Sequence, residues 1–313
     1  MIPVIDLSDF TGADPKKKAS FVQDIGAAFE DPGFVAVKNH GIPSGLIEDL
    51  YKQVQQFFSL LPDKKRAYEI PELAGQRGYT SFGREHAKGS DAPDLKEFFQ
   101  YGQTVPDTHA LKEEYPDNVK VDEIEGFDEN IFKAYRAFEK TGKLLLRAIA
   151  LYLGLNENYF DQYVEEGNSI VRAIHYPPIT EEPESAIRAE QHEDINLITL
   201  LVGASAAGLE ILTKKNEWVG VTSLPDQIVV NVGDMLQRLT NNKLKSTTHR
   251  VVNPPRELWN TSRFSIPFFL HPKSAMNLSA LDSCVDEIHP KVFGDITAGE
   301  FLDERLKEIG LKK

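Results

Sequence analysis

The sequence predicts an α+β chain with a mainly β core, an antiparallel sandwich or barrel preceded and followed by helices. Three observations carry this. Up to about residue 168 most apolar residues recur at helical spacing. From about Ser169 they come in short β-branched runs split by turn residues. From Asp295 the helical spacing returns. The chain therefore divides into a mostly helical region at 1–168, a β core at 169–281 and a helical tail at 282–313. No linker-like segment separates them, so one compact unit is expected.

The elements follow in order. Phe21, Ile25, Ala28 and Phe29 share one face of a helix that Asp31-Pro32-Gly33 ends. Phe34 to Val37 reads as a short strand. Pro43 and Ser44 open a second helix with Leu46, Leu50, Val54, Phe57 and Leu61 on its stripe, stopped by Pro62. Gln76 to Gln103, rich in Gly, Ser, Asp and Pro, reads as a long loop or irregular hairpin whose aromatics pack on something. A third, long helix carries Ile131, Tyr135, Phe138, Leu145, Ile149 and Leu153 and ends at Gly154.

In the β half, the strands expected are Val171 to Tyr176, Ile195 to Val202, Leu209 to Leu212, Trp218 to Val221, Ile228 to Val232, Ser246 to Val252 and Arg263 to Leu270. Lys215-Asn216 supplies a hairpin turn between two of them. Many short strands at this spacing suit an antiparallel sandwich or barrel. In the tail, Phe301, Leu302, Leu306 and Ile309 fit one helical face, suited to capping the barrel in a monomer.

Composition narrows the partners. The chain has 313 residues, 41 % of them hydrophobic, enough for a sizeable core. A net charge of −13 argues against nucleic acid, since a phosphate backbone needs clustered Lys and Arg. No apolar run approaches the roughly 20 residues of a membrane helix. The first residues, MIPVIDLSDF, lack a signal-peptide layout. Cys284 is the single cysteine, so no intrachain disulfide forms. A cytoplasmic protein with a small-molecule partner is expected.

The candidate chemistry centres on Gln191-His192-Glu193-Asp194. His192 and Asp194 are two apart, so an extended backbone points both the same way. His249 lies 57 residues further on, in another expected strand. Two histidines and a carboxylate leave three positions open on a metal, as an iron(II) centre that takes a co-substrate and O2 together requires. Arg263 and Ser265 are also two apart on one strand face. A guanidinium beside a hydroxyl grips a carboxylate, such as the distal one of 2-oxoglutarate. The apolar setting of Arg263 makes a buried charge that needs a partner.

These motifs, in their order, resemble the isopenicillin N synthase-like group of 2-oxoglutarate- and Fe(II)-dependent dioxygenases over nearly the full length. Ile2 to Leu7 is similar to the opening strand, and Gly33-Phe34 with Asn39-His40-Gly41-Ile42-Pro43 to the N-terminal signature. Arg172 to Pro178 (RAIHYPP), His192-x-Asp194, Asn231-Val232-Gly233-Asp234, His249-Arg250-Val251 and Arg263-x-Ser265 follow. The resemblance implies a double-stranded β-helix (jelly roll) wrapped by N- and C-terminal helices. It implies that His192, Asp194 and His249 bind iron, that Arg263 and Ser265 bind the distal carboxylate, and that Tyr176 lies near the co-substrate. Plant members commonly carry Asn two residues before that tyrosine; here the position is Ile174.

What the resemblance implies for function is oxidation, by default hydroxylation, of a small molecule with release of succinate and CO2. Phe269, six residues past Arg263, falls where relatives line the substrate pocket. Arg84, with His86 and Lys88, is the candidate substrate contact on the Gln76 to Gln103 segment. His40, His86, His109, His175, His271 and His289 read as packing or surface residues, Asp234 as a turn residue, and Glu193 as pointing away from the metal. The alternatives are an iron oxidase of the same superfamily that does not use 2-oxoglutarate, a zinc hydrolase, and a non-catalytic jelly roll that binds a small acid.

Overall fold

The computed structural model describes residues 2–85, 94–183, 186–203, 205–222, 224–309 and 311–312. Two sheets face each other across a central cavity. The chain opens with β1 (Val4–Asp6), α1 (Leu7–Thr11), α2 (Pro15–Glu30) and β2 (Phe34–Lys38), then α3 (Ser44–Phe58) and α4 (Pro62–Arg66). Pro62 both follows the second expected helix and opens α4, where a missing N–H costs nothing. β3 (Gly78–Thr80) and β4 (Glu97–Gly102) pair antiparallel, so the irregular hairpin expected here is present at its two ends. α5 (Phe127–Tyr152) and α6 (Asp161–Val164) precede the β core.

From β5 (Ile170–Tyr176) the chain alternates between sheets through β6 (Ala189–His192), β7 (Ile198–Val202), the β8–β9 pair (Leu209–Leu212, Trp218–Gly220), β10 (Gln227–Val232), β11 (His249–Val251) and β12 (Arg263–Leu270). The large sheet runs β1-β2-β10-β7-β12-β5-β4-β3 and the small one β6-β11-β8-β9. This alternation is the winding of the double-stranded β-helix. α7 (Asp234–Leu239) leaves β10, and α8 (Ala298–Glu308) closes the described chain. The helical first half thus contributes four strands to the large sheet, β1 and β2 on one flank and β3 and β4 on the other.

Strand period two sorts the large sheet into two faces. On β12, Phe264, Ile266, Phe268 and Leu270 pack with the helices, while Arg263, Ser265, Pro267 and Phe269 line the cavity. On β5, Val171 and Ala173 face the helices; Ile170, Arg172, Ile174 and Tyr176 face the cavity. α5 is the main cover. Phe138 stacks on Phe268 at 5.4 Å, and Gly142 lies so close to Leu270 that a Cβ there would displace the leucine side chain.

The N-terminal turn is tied to the metal strand. Gly33 has φ +82°, and a Cβ there would meet the Lys245 carbonyl and the Thr247 hydroxyl. Thr247 Oγ1 donates to Pro32 O at 2.6 Å, two residues before His249. His40 sits in a turn as well: its Nδ1 accepts from Ile42 N at 3.2 Å, and Asn39 and Gly41 both take positive φ. α8 begins with a capping box between Thr297 and Glu300, buries Phe301 and Leu306, and Leu302, Leu306 and Ile309 at its end line the cavity.

Two strands are shorter than their apolar runs suggest. Ser246 to Val252 reduces to β11, with Ser246 making an isolated bridge to Val232. Ile195 to Val202 reduces to β7, because Asn196 turns its amide onto Ile198 O and Thr199 Oγ1, both at 3.0 Å, and shapes a turn instead.

Candidate metal centre and co-substrate pocket

β6 ends on His192 and β11 begins on His249, and the two residues are register partners across that antiparallel pair. Their rings lie 4.4 Å apart, centroid to centroid. Asp194 is not on the strand; it sits in the turn after β6, and Asp234 N donates to its backbone oxygen at 2.7 Å. The two-residue spacing therefore works through a strand end and a turn, not through two extended residues. One ligand atom from each of His192, Asp194 and His249 lies within 4.8 Å of the others.

The protonation pattern is set by backbone carbonyls. His192 Nδ1 is 2.6 Å from Glu190 O, and His249 Nδ1 is 3.0 Å from Thr247 O. A carbonyl only accepts, so each Nδ1 carries the proton and each Nε2 keeps a lone pair for a metal. Burial, reinforced by the nearby His249, pushes His192 well below its ordinary value, so the ring stays neutral. Asp194 Oδ2 accepts from Thr199 Oγ1 at 2.6 Å and Asn231 Nδ2 at 2.8 Å. Its Oδ1 is 3.7 Å from His249 Nε2. Burial would raise this carboxyl, but the two histidines and these two donors outweigh it and hold it below its ordinary range. Two imidazoles with their Nε2 atoms turned to the cavity and one carboxylate oxygen beside them fit a divalent iron site.

Arg263 and Ser265 occupy the cavity face of β12. Arg263 pairs in register with Tyr176 on β5, and its guanidinium lies 4.9 Å over that ring. Arg263 is 2 % exposed. Its Nε donates to Ala206 O at 3.2 Å, while its Nη1 is buried without a partner. Among the described residues no carboxylate pairs with it. A buried guanidinium with an unused donor beside Ser265 fits an incoming carboxylate. Ile174 presents an apolar surface next to Tyr176.

The metal ligands, Arg263, Ser265, Tyr176 and Phe269 share one cavity of about 540 Å³. The same lining holds a buried ionic chain that the sequence reading missed. Arg172 Nε donates to Gln100 Oε1 at 2.7 Å and Nη1 to Glu85 at 3.2 Å. Its guanidinium lies 4.2 Å over Phe98 and 5.2 Å over Phe269. Lys96 Nζ is 2.7 Å from both Glu85 and Asp94. Burial alone would raise Glu85 and lower Lys96. Arg172 and Lys96 instead bring Glu85 down to about 2, and Glu85 and Asp94 push Lys96 up. His271 also lines this cavity, its Nδ1 unpartnered. Arg172 was findable, being in step with Ile174 and Tyr176. Lys96, Asp94 and Glu85 carried no such signal.

Arg84 is not brought to this cavity. Its exposed guanidinium lies 3.4 Å from Glu69 instead, outside the lining. His86 and Lys88 lie outside the described residues. Glu193 accepts from Thr248 Oγ1 at 2.7 Å. Asp234 opens α7 with Arg305 3.8 Å away. His175 is a packing residue, bound to Glu97 at 2.7 Å and stacked on Phe264 at 4.7 Å.

Comparison with known proteins gives the same picture. Residues 2–123 match the family described as non-haem dioxygenase in morphine synthesis N-terminal, and residues 167–272 match the 2OG-Fe(II) oxygenase superfamily. The chain is 33 % identical to the proline hydroxylase buaE of Petromyces alliaceus, covering 96 % of this chain and 97 % of that protein. A 2OG-Fe(II) oxygenase family protein from Caulobacter crescentus superposes with TM-score 0.89 at 39 % identity, over 98 % of this chain and 99 % of that one. A full-length Neurospora crassa protein, solved in complex with alpha-KG, superposes with TM-score 0.86 at 30 % identity, over 98 % and 95 %. No helix among the described residues is long and apolar enough to cross a membrane. Matched over nearly its whole length by these relatives, the chain belongs to the 2OG-Fe(II) oxygenase superfamily.

Proposed function

We propose that this enzyme, with Fe(II), 2-oxoglutarate and O2, hydroxylates a small, polar, uncharged molecule held between the metal centre and the Arg172–Phe269 end of the cavity. The observation that carries the reading is the buried, incompletely satisfied Arg263 in the same cavity as three metal-ligand atoms. The bound cofactors supply activation of O2 coupled to oxidative decarboxylation, one oxygen atom ending in succinate and the other in the product.

The chain's own work is placement. His192, Asp194 and His249 hold the iron with their outer atoms fixed by Glu190, Thr247, Thr199 and Asn231. Arg263 and Ser265 hold the distal carboxylate, and Tyr176 flanks it. α8 lines the cavity with Leu302 and Leu306 and limits water. Phe269 and Arg172 face the substrate.

Charge supports the uncharged class. Among the described residues the substrate end carries Arg172 and Lys96 against Glu85 and Asp94, already paired with one another. A charged substrate would have to break a buried pair, which is strongly unfavourable. The Neurospora protein has also been solved in complex with alpha-KG and thymine, an uncharged heterocycle.

The test is succinate release by Fe(II)-loaded protein given 2-oxoglutarate, O2 and a panel of neutral heterocycles, amino acids and carboxylic acids. Succinate that rises with a neutral panel member, and disappears in His192→Ala, is the expected result. Substrate oxidation without succinate would move the enzyme to the 2-oxoglutarate-independent oxidases. Stimulation by carboxylic acids alone would overturn the substrate class.

A further inference from the structure

We propose that Arg188 is a second cation behind the wall of the co-substrate pocket, making the pocket selective for 2-oxo acids that carry a distal carboxylate. The inference rests on the co-substrate reading above.

Arg188 immediately precedes β6, the strand that ends on His192. It is 2 % exposed, as is Arg263. Its Nη2 donates to Thr261 O at 2.9 Å, two residues before Arg263. Its Nε is buried without a partner, like Arg263 Nη1. Among the described residues neither guanidinium has a carboxylate partner. Their charges act on one another, and Tyr176 lies within range of Arg188.

Two buried guanidiniums that repel one another and leave N–H groups unused are unfavourable in a folded chain. An anion bound between or beside them removes the conflict. In charge, Arg263 alone balances the distal carboxylate. Arg188 leaves that end of the pocket net positive, which favours a dianionic 2-oxo acid over a monoanionic one. Arg188 is outside the cavity lining, so its action is electrostatic and it is a positioning residue rather than a catalytic one. A cation about 12 Å from a carboxylate, in a protein of effective dielectric about 20, changes affinity by roughly tenfold.

The experiment is calorimetric titration of the Fe(II)-loaded enzyme, without O2, against 2-oxoglutarate and against 2-oxopentanoate, which has the same chelating head and no distal carboxylate. Arg188→Met is expected to weaken 2-oxoglutarate roughly tenfold and to change 2-oxopentanoate less than about twofold. Arg188→Lys keeps the charge and is expected to stay within about threefold of the parent for both. Melting temperature gives an independent readout. With Arg188→Met the ligand-free protein is expected to melt no lower than the parent, because repulsion is relieved, while the rise on adding 2-oxoglutarate shrinks. Equal weakening for both ligands, or a lower ligand-free melting temperature with an unchanged rise, would mean a purely structural role and overturn the proposal. If Arg188→Met does not fold, loss of the preference for 2-oxoglutarate in folded Arg188→Lys would also overturn it. Failure of the parent enzyme to bind 2-oxoglutarate at all would instead remove the co-substrate reading and this proposal with it.

Discussion

Asn231 Nδ2 donates to Asp194 Oδ2 at 2.8 Å, so one oxygen of this candidate ligand carboxylate is held by β10 and the other is left to face His249. Thr199 Oγ1 on β7 shares that oxygen at 2.6 Å. Two strands of the large sheet thus set the angle of a ligand carried by the turn after β6. Outer partners of this kind typically change metal affinity by about 10–100-fold. Asn231→Ala and Thr199→Val are each expected to weaken Fe(II) binding by that order while leaving the fold intact. Fe(II) titration under argon, paired with circular dichroism, checks it. Unchanged affinity in both variants would mean that the turn alone orients Asp194.

In the clamp proposed for 2-oxoglutarate, Arg263 and Ser265 divide one task unequally. The guanidinium supplies charge and a fork; the hydroxyl supplies one hydrogen bond. Arg263→Met is expected to raise the 2-oxoglutarate dissociation constant by about 100-fold and Ser265→Ala by roughly tenfold, following the usual worth of charged and neutral hydrogen bonds. Succinate formation at saturating 2-oxoglutarate is expected to recover more in Ser265→Ala. A larger loss from Ser265 than from Arg263 would count against the clamp.

Lys96 is enclosed by Glu85 and Asp94, both 2.7 Å away, with all three side chains less than a tenth exposed. Removing the cation leaves Glu85 with Arg172 alone and Asp94 without its cation. Lys96→Met is expected to cost about 3–5 kcal/mol of stability, the range for breaking a buried pair from one side. Lys96→Met with Asp94→Asn is expected to recover part of that loss, since the two sites are coupled. Urea denaturation curves of the three proteins give the answer. A loss below about 1 kcal/mol would show that water screens this chain.

The contrast between these sites explains what the sequence could and could not reveal. The shared cavity face of Arg263 and Ser265 was legible because β12 is a regular strand with eight residues, and its period puts both on one side. His192 and Asp194 were legible by spacing, although the physical basis differs, because β6 stops at His192 and Asn196 shapes the turn that delivers Asp194. His249 was legible only through the order of motifs. The Arg172–Glu85–Lys96–Asp94 chain was not legible, since its partners meet through β4–β5 pairing, Gln100 opposite Arg172. Local periodicity carries no information about such a crossing. Arg84 misled for the same reason: a cation on a loop goes to whichever acid the fold brings near, here Glu69.

His271 gives the enzyme a defined acid sensitivity. Burial pushes its ring from 6.5 down to about 4; Asp194 opposes the shift and Arg172 adds to it. The folded protein therefore keeps this ring neutral where the unfolded chain protonates it. A histidine whose folded value is depressed contributes fully above 6.5, and the contribution fades as pH falls from 6.5 towards 4. Integrated over that window, the residue accounts for a loss on the order of 3 kcal/mol. Glu85, held at about 2, acts lower, between its ordinary 4.5 and that value, so the two effects separate on the pH axis. Between pH 7 and pH 4 the metal-free parent is expected to lose more stability than metal-free His271→Gln, by about that amount, because only the parent has this proton uptake in its unfolded state. Denaturation midpoints every half pH unit measure the difference, in which the shared titration of His192 cancels. Parallel curves would mean that the folded ring titrates near its ordinary value, with Asp194 offsetting burial rather than yielding to it.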